Sequence, residues 1–350
     1  MRTLKILALI FLFNTCDAQP FLTVTNKPVK KTAYYSALSG RIKFTSTSTE
    51  NLIPQLYVGF DIPAQANCPL IVYVHGWGGQ GGEAQLDPAA ITYLNGQGIA
   101  ICSPGMRGRN SAPDENNDPT LADITEYRNS AGGSETASLY ESIEYIINVI
   151  AAPGQINRDQ IWIYGTSGGG GNALGIAAKM PEYLAGIIDW YGMGKWGNYA
   201  GDPRHSQTGW YNFNNNYNGQ IQQAIGGAPG GVSPISAQYL SRDHRRFMPS
   251  NFTGKTYIYH DSGDIQVQVA ESDKLDSALT ALGKSHVYYR STNGLYFHGN
   301  YDIALGIYTG SFGMQWVNDV KTLTRVRLAT SGTLSVPGYL KADNFQIDLM

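Results

Sequence analysis

A serine hydroxyl attacks a carbonyl at neutral pH only when a base takes its proton and a carboxylate holds that base in the right tautomer. Ser167 has the setting for such chemistry. It falls in IWIYGTSGGGGNAL, residues 161–174, between an apolar, aromatic run and a segment of helical composition. Ile161, Trp162, Ile163 and Tyr164 favour a strand, and NALGIAAKM (172–180) favours a helix, so the Gly-rich joint between them turns sharply with Ser167 on the turn. Glycines at 165 and 169 let a strained backbone lift the hydroxyl above a sheet. In a chain with 41 glycines, the five-residue pattern alone also fits a joint without chemistry, or one that cradles phosphate. No G-x-x-x-x-G-K-[ST] occurs. A dinucleotide fold would carry its Gly-rich joint in the first strand–helix unit, with an acidic residue about 20 positions on, near Asp189.

Six histidines compete for the base. His205 and His244 lie in a polar insertion, His75 and His260 at strand ends, and His286 at the start of a strand. His298, in YFHGNYD, follows the last strand and comes after both the serine and an acid, which makes it the favoured base. Asp264, in HDSGDIQV, is the candidate acid and Asp261 its rival; either residue also suits a turn that caps the next helix. An oxyanion formed in acyl transfer needs two N–H donors, one from the residue after the nucleophile and one from the loop after an earlier strand. Gly168 provides the first, and HGWGG (75–79) provides the second, with Trp77 the candidate donor.

These residues require a sheet to hold them. TAYYSAL and LYVGFDIP read as antiparallel strands, PLIVYVHG and GIAICSPG as buried strands, and ETASLYESIEYIINVIA as a helix with Leu139, Ile143, Ile146, Ile147 and Ile150 on one face. Then come QIWIYG and its helix, strand AGIIDWYG, the insertion from about 195 to 251, strand TYIYHDSGD, helix VAESDKLDSALTALG, strand HVYYRS and a last helix over 303–320. Alternating strands and helices predict an α/β fold with a mainly parallel sheet and helices on both faces.

Residues 1–18 read as a signal peptide: Arg2 and Lys5, an apolar run from Ile6 to Phe13, and Cys16-Asp17-Ala18 as a cleavage site. Lipid modification at Cys16 is a weaker reading, because Phe13, Asn14 and Thr15 fit a lipoprotein signal poorly. Residues 19–350 then form one exported domain, with no transmembrane segment expected. A net charge of −2 with 15% charged residues argues against an electrostatic nucleic-acid binder. Cys68 and Cys102 sit too far apart along neighbouring strands to bridge and are expected as buried thiols. DENNDP lacks the spacing of a calcium loop, and neither a metal nor a cofactor is expected.

With elbow, acid, base and oxyanion loop at four separate places in order, the chain resembles the α/β-hydrolase catalytic domain of the prolyl oligopeptidase family and related esterases. The likeness runs from about 69 to 320 through VYVHGWGG, PGMRGR, IWIYGTSGGGGNALGIAAKMPEYLAGIIDWYG, HDSGDIQVQVAES and FHGNYD. It implies Ser167 as nucleophile, Asp264 as acid and His298 as base, and it makes 195–251 a lid-like insertion. Asp261 stands where that family usually has glycine, and the N-terminal region is too short for the β-propeller that restricts many of those peptidases to peptides. An exported serine esterase acting on acylated carbohydrate or small esters is therefore expected first. A peptidase of prolyl oligopeptidase type and a non-catalytic hydrolase-like binding protein are the alternatives. Trp196, Trp210 and Tyr211, with Phe213 and Tyr217, are candidates to stack on a sugar or aromatic group, or to form the insertion's own core. Arg107, Arg109, Arg242, Arg245 and Arg246 are read as surface ion pairs ahead of an anion site.

Overall fold

A computed structural model describes residues 35–45, 55–76, 88–105, 133–197, 222, 227–229, 235–291, 298 and 314–326. Among the described residues, eight strands form one sheet: β1 (Leu38–Thr45), β2 (Gln55–Ile62), β3 (Cys68–Val74), β4 (Ala100–Pro104), β5 (Ile156–Thr166), β6 (Gly186–Trp190), β7 (Lys255–Asp261) and β8 (His286–Ser291), in the order β1-β2-β4-β3-β5-β6-β7-β8. The β1–β2 and β2–β4 pairs are antiparallel, and every later pair is parallel.

Side chains alternate along a strand, and β5 shows what that does to the core. Ile161 and Ile163 enter one apolar cluster with Leu139, Leu174, Met248 and Leu275, while Trp162 and Tyr164 enter a second with Leu94, Trp316 and Val320. Those partners belong to helices on opposite faces. On the first face lie α2 (Gly133–Tyr145, continued by a π-helical turn Ile146–Ile150), α3 (Gly168–Lys179), α5 (His244–Asn251) and α6 (Val269–Ala281). On the other lie α1 (Pro88–Gly96) and α7 (Met314–Thr322); the short α4 (Ile235–Ser241) precedes α5. Central strands covered on both faces are apolar throughout, as β3 is.

An aromatic ladder ties the strand ends together. Trp190 stacks on Tyr259 at 4.7 Å, Tyr259 on Tyr289 at 5.9 Å, and Tyr164 lies 5.8 Å from Trp190. Each such pair adds about 0.5–1.5 kcal/mol beyond burial. The ladder stiffens β5 to β8 at the ends from which the site loops depart.

Four expectations need correction. The first strand begins at Leu38 rather than spanning TAYYSAL, because Leu38, Ile42 and Phe44 supply the residues that pack on the core. The helix after Ser167 begins at Gly168, four residues before its helical composition does. Arg245 is interior: 1% exposed, its Nη1 lies 3.0 Å from Glu271 Oε2 and its Nε 3.6 Å from Asp243. Arg242 is buried too, bonded to Gln238. Cys68 and Cys102 are both free and buried, as expected. Among the described residues no helix is long and apolar enough to cross a membrane. Residues 1–18, Arg107, Arg109, DENNDP and the 303–313 part of the last expected helix lie outside the described residues.

Candidate active site

Ser167 joins β5 to α3 with φ 55° and ψ −118°, a conformation that side chains rarely adopt and that surrounding contacts must enforce. Those contacts are visible. The Ser167 N–H donates to Trp190 O at 2.9 Å, and its carbonyl accepts from Gly171 N and Met193 N at 3.2 Å each. Gly165 and Gly169 are required by close approach: a Cβ at 165 would collide with the carbonyl of Gly169, and one at 169 with Val74 O while lying 2.7 Å from His75 O. Gly169→Ala should therefore destabilise the fold by at least about 1–3 kcal/mol in urea unfolding. Unchanged stability would mean that the elbow does not press on β3.

The three residues named for the triad come together. His298 Nε2 lies 2.8 Å from Ser167 Oγ, and His298 Nδ1 lies 2.8 Å from Asp264 Oδ2. An ionised carboxylate only accepts, so Nδ1 carries the proton and Nε2 is left to accept from the serine hydroxyl. Asp264 is 6% exposed in the turn after β7; its Oδ1 accepts the N–H groups of Gln266 at 2.7 Å and Val267 at 2.9 Å. Burial pushes its carboxyl up, but the hydrogen bonds and charges of His260 and His298 outweigh that and hold it well below the usual carboxylate range.

Asp261, the rival acid, ends β7 and turns its Oδ1 onto Gly263 N at 2.6 Å, closing its own turn instead of reaching His298. Asp264→Asn should accordingly lower turnover by roughly ten-thousand-fold, by favouring the wrong tautomer of His298. Asp261→Asn should cost far less, and kinetics of the two variants showing the reverse ranking would transfer the role.

The other histidines are held elsewhere. His75 is buried with Nδ1 2.8 Å from Gly76 O, His244 packs against Gly175, and His286 pairs with Asp276 at 2.9 Å. His260, at the end of β7, approaches Asp264 rather than Ser167. His205 lies outside the described residues, as do Trp77, Trp210 and Tyr211. Of the oxyanion candidates Gly168 opens α3, and the start of the HGWGG loop does press on the serine: a Cβ at Gly76 would lie 3.2 Å from Ser167 Cβ. Trp196 is fully buried, which corrects its reading as a stacking surface; its indole is part of the interior.

Two features escaped sequence reasoning. Tyr191 takes φ 44°, donates its N–H to Tyr259 O at 2.7 Å, and sets its ring 4.6 Å from that of His298. Asp189, behind the elbow, has its carboxyl pushed up to about 7 by burial, opposed by the Gly192 N–H and reinforced by Glu271. Two non-glycine residues at positive φ in one site, Ser167 and Tyr191, follow from the sharp exits of β5 and β6.

Sheet order, elbow and loop placement define an α/β-hydrolase fold. No protein-family model matches the sequence, and no curated protein matches it. Solved structures do. An acylaminoacyl peptidase of Pyrococcus horikoshii aligns at 18% identity and TM-score 0.57, covering 77% of this chain and 38% of that one. A putative dipeptidyl aminopeptidase IV of Bacteroides ovatus aligns at 16% identity and TM-score 0.54, covering 79% and 35%. A puromycin-hydrolyzing peptidase of Mycobacterium tuberculosis aligns at 15% identity and TM-score 0.55, covering 75% and 37%. The likeness is one of fold, and this chain spans well under half the length of each of those proteins. They belong to the prolyl oligopeptidase family of the α/β-hydrolase superfamily, the resemblance read from the sequence.

Proposed function

We propose that this chain is a serine hydrolase in which Ser167 is the nucleophile, His298 the base and Asp264 the acid. The observation that carries the reading is the unbroken relay from Ser167 Oγ through both nitrogens of His298 to Asp264, with 2.8 Å at each step. In the reaction, Oγ attacks the carbonyl carbon of the substrate while its proton passes to His298 Nε2. Asp264 remains ionised and stabilises the imidazolium. The oxyanion is received by the Gly168 N–H and by a second donor from the HGWGG loop, for which Trp77 is the candidate. Nε2 then returns the proton to the leaving group, and water, deprotonated by the same nitrogen, releases the acyl group from Ser167.

For the substrate, carboxylic esters of carbohydrates or small molecules come first, supported by the aromatic and Asn-rich composition around Trp210 and Tyr211. Peptides form the second reading, favoured by the peptidase names of the three structural neighbours. A panel of acetyl, longer acyl and peptidyl chromogenic substrates separates the two. Inertness to the whole panel, together with failure to react with a fluorophosphonate, would instead leave a non-catalytic binding protein. Export, secreted or periplasmic, belongs to the same proposal through residues 1–18, and mass spectrometry of the mature N-terminus tests it. A mature chain retaining residues 1–18 would overturn that part, and one lipidated at Cys16 would replace the free exported product by an anchored one.

A further inference from the structure

We propose that His260 is a positioning residue for the acid of the site: it donates its Nε2–H to the same Asp264 oxygen that receives the Nδ1–H of His298. This rests on the reading of Ser167, His298 and Asp264 as a triad. His260 is the next-to-last residue of β7, and its side chain is wholly buried. Its Nδ1 lies 2.7 Å from Ser272 Oγ on α6, while its Nε2 lies 3.0 Å from Val267 O and 3.2 Å from Asp264 Oδ2. Both groups facing Nε2 are acceptors, so that nitrogen carries the proton, and the Ser272 hydroxyl donates to Nδ1.

The consequence lies in what each donor is attached to. Among the described residues, Asp264 Oδ1 is bonded only to N–H groups of its own turn, those of Gln266 and Val267. His260 connects Oδ2 to the sheet through β7 and to α6 through Ser272, so it refers the carboxylate to the same rigid frame that holds Ser167 at the end of β5. His298 lies 34 residues further along the chain and needs a fixed acceptor. A small displacement of the acid, passed through the imidazole, misplaces Nε2 relative to Oγ, and reactions of this kind are steeply sensitive to such errors. The plain alternative is that His260 only fills space and satisfies Val267 O.

Two amide variants separate these roles. His260→Gln keeps an N–H within reach of Asp264, whereas His260→Asn can still meet Ser272 but falls short of the carboxylate. The readouts are the rate at which a fluorophosphonate labels Ser167 and the downfield proton resonance of the His298–Asp264 hydrogen bond. His260→Asn should slow labelling by about 10–100-fold, the range seen when outer supporting partners of a site are removed, and should weaken or shift that resonance. His260→Gln should restore most of the rate. Equal rates for Asn, Gln and wild type would overturn the proposal, as would equal losses in both variants with the resonance intact. If His260→Asn fails to fold, Ser272→Ala is read in its place: it releases Nδ1, and a labelling rate unchanged from wild type would count against the proposal. Labelling that persists in Ser167→Ala would instead bring down the triad reading itself, whatever the His260 variants do.

Discussion

Ser167→Ala is expected to abolish hydrolysis while leaving the fold intact, with turnover falling by up to on the order of a million-fold. The size of the effect follows from the chemistry, since no other hydroxyl stands on His298 Nε2 in the described site. The fold should survive because the contacts that enforce the turn are made by the backbone of residue 167 and by Gly165 and Gly169, none of which depends on the hydroxyl. Alanine shares the Cβ, so it inherits the cost of φ 55° without adding to it. The check is turnover on the best substrate of the panel alongside thermal unfolding. Retained turnover above a few per cent of wild type in a folded variant would remove Ser167 from the reaction.

How far this site could be read from the sequence depends on whether a feature is local. Ser167 announces itself because the strand-forming IWIY, the two required glycines and the following helix are contiguous, and each has its own physical signature. Asp264 and His298 were named from their order and their places after β7 and β8. No sequence property says that 34 residues of separation end in a 2.8 Å contact. The choice between Asp264 and Asp261 illustrates the limit: both are acidic, both follow the same strand, and only the direction of the turn sends one toward the histidine and the other onto Gly263.

Features that defeat composition were missed for stated reasons. Four glycines beginning at 168 have poor helix propensity, yet they open α3 because Gly169, Gly170 and Gly171 pack against Val74, Asp189 and Met193, where a side chain would not fit. The run RDHRR at 242–246 has the charge of a solvated surface, but His244 and Arg245 are interior, with Arg245 opposite Glu271, whose carboxyl burial pushes up to about 7. Burying such a pair demands tertiary partners that no local window contains. Trp196 looked like a binding aromatic for the opposite reason: a large side chain in a polar stretch reads as exposed until packing shows otherwise. His260 belongs with these, since its value to the site lies in an i to i+4 contact across a turn, a spacing that carries no periodic signal outside a helix.

His298→Ala should cost nearly as much as loss of the serine, roughly a million-fold in turnover, and it should also erase the acidic limb of the pH profile. The base accepts the serine proton only while its Nε2 is unprotonated, so kcat/KM carries an acidic limb that belongs to the base. Asp264 does not produce that limb. Its carboxyl is held well below the usual carboxylate range, so it stays ionised at pH values where ordinary carboxylates take up protons. The same shift carries a stability term of definite sign: a depressed carboxylate favours the folded state above its unfolded titration range and loses that contribution as pH falls toward its folded one. Acid inactivation should thus occur in two stages, first reversible loss of rate along the limb that the base carries, then weakening of the fold as Asp264 is protonated. In His298→Ala the first stage disappears, whereas His75→Ala leaves the limb in place. If His298→Ala kept its rate and the limb, the proton would be leaving Ser167 by another route. His260 would not inherit the role, because its two nitrogens are committed to Ser272, Val267 and Asp264.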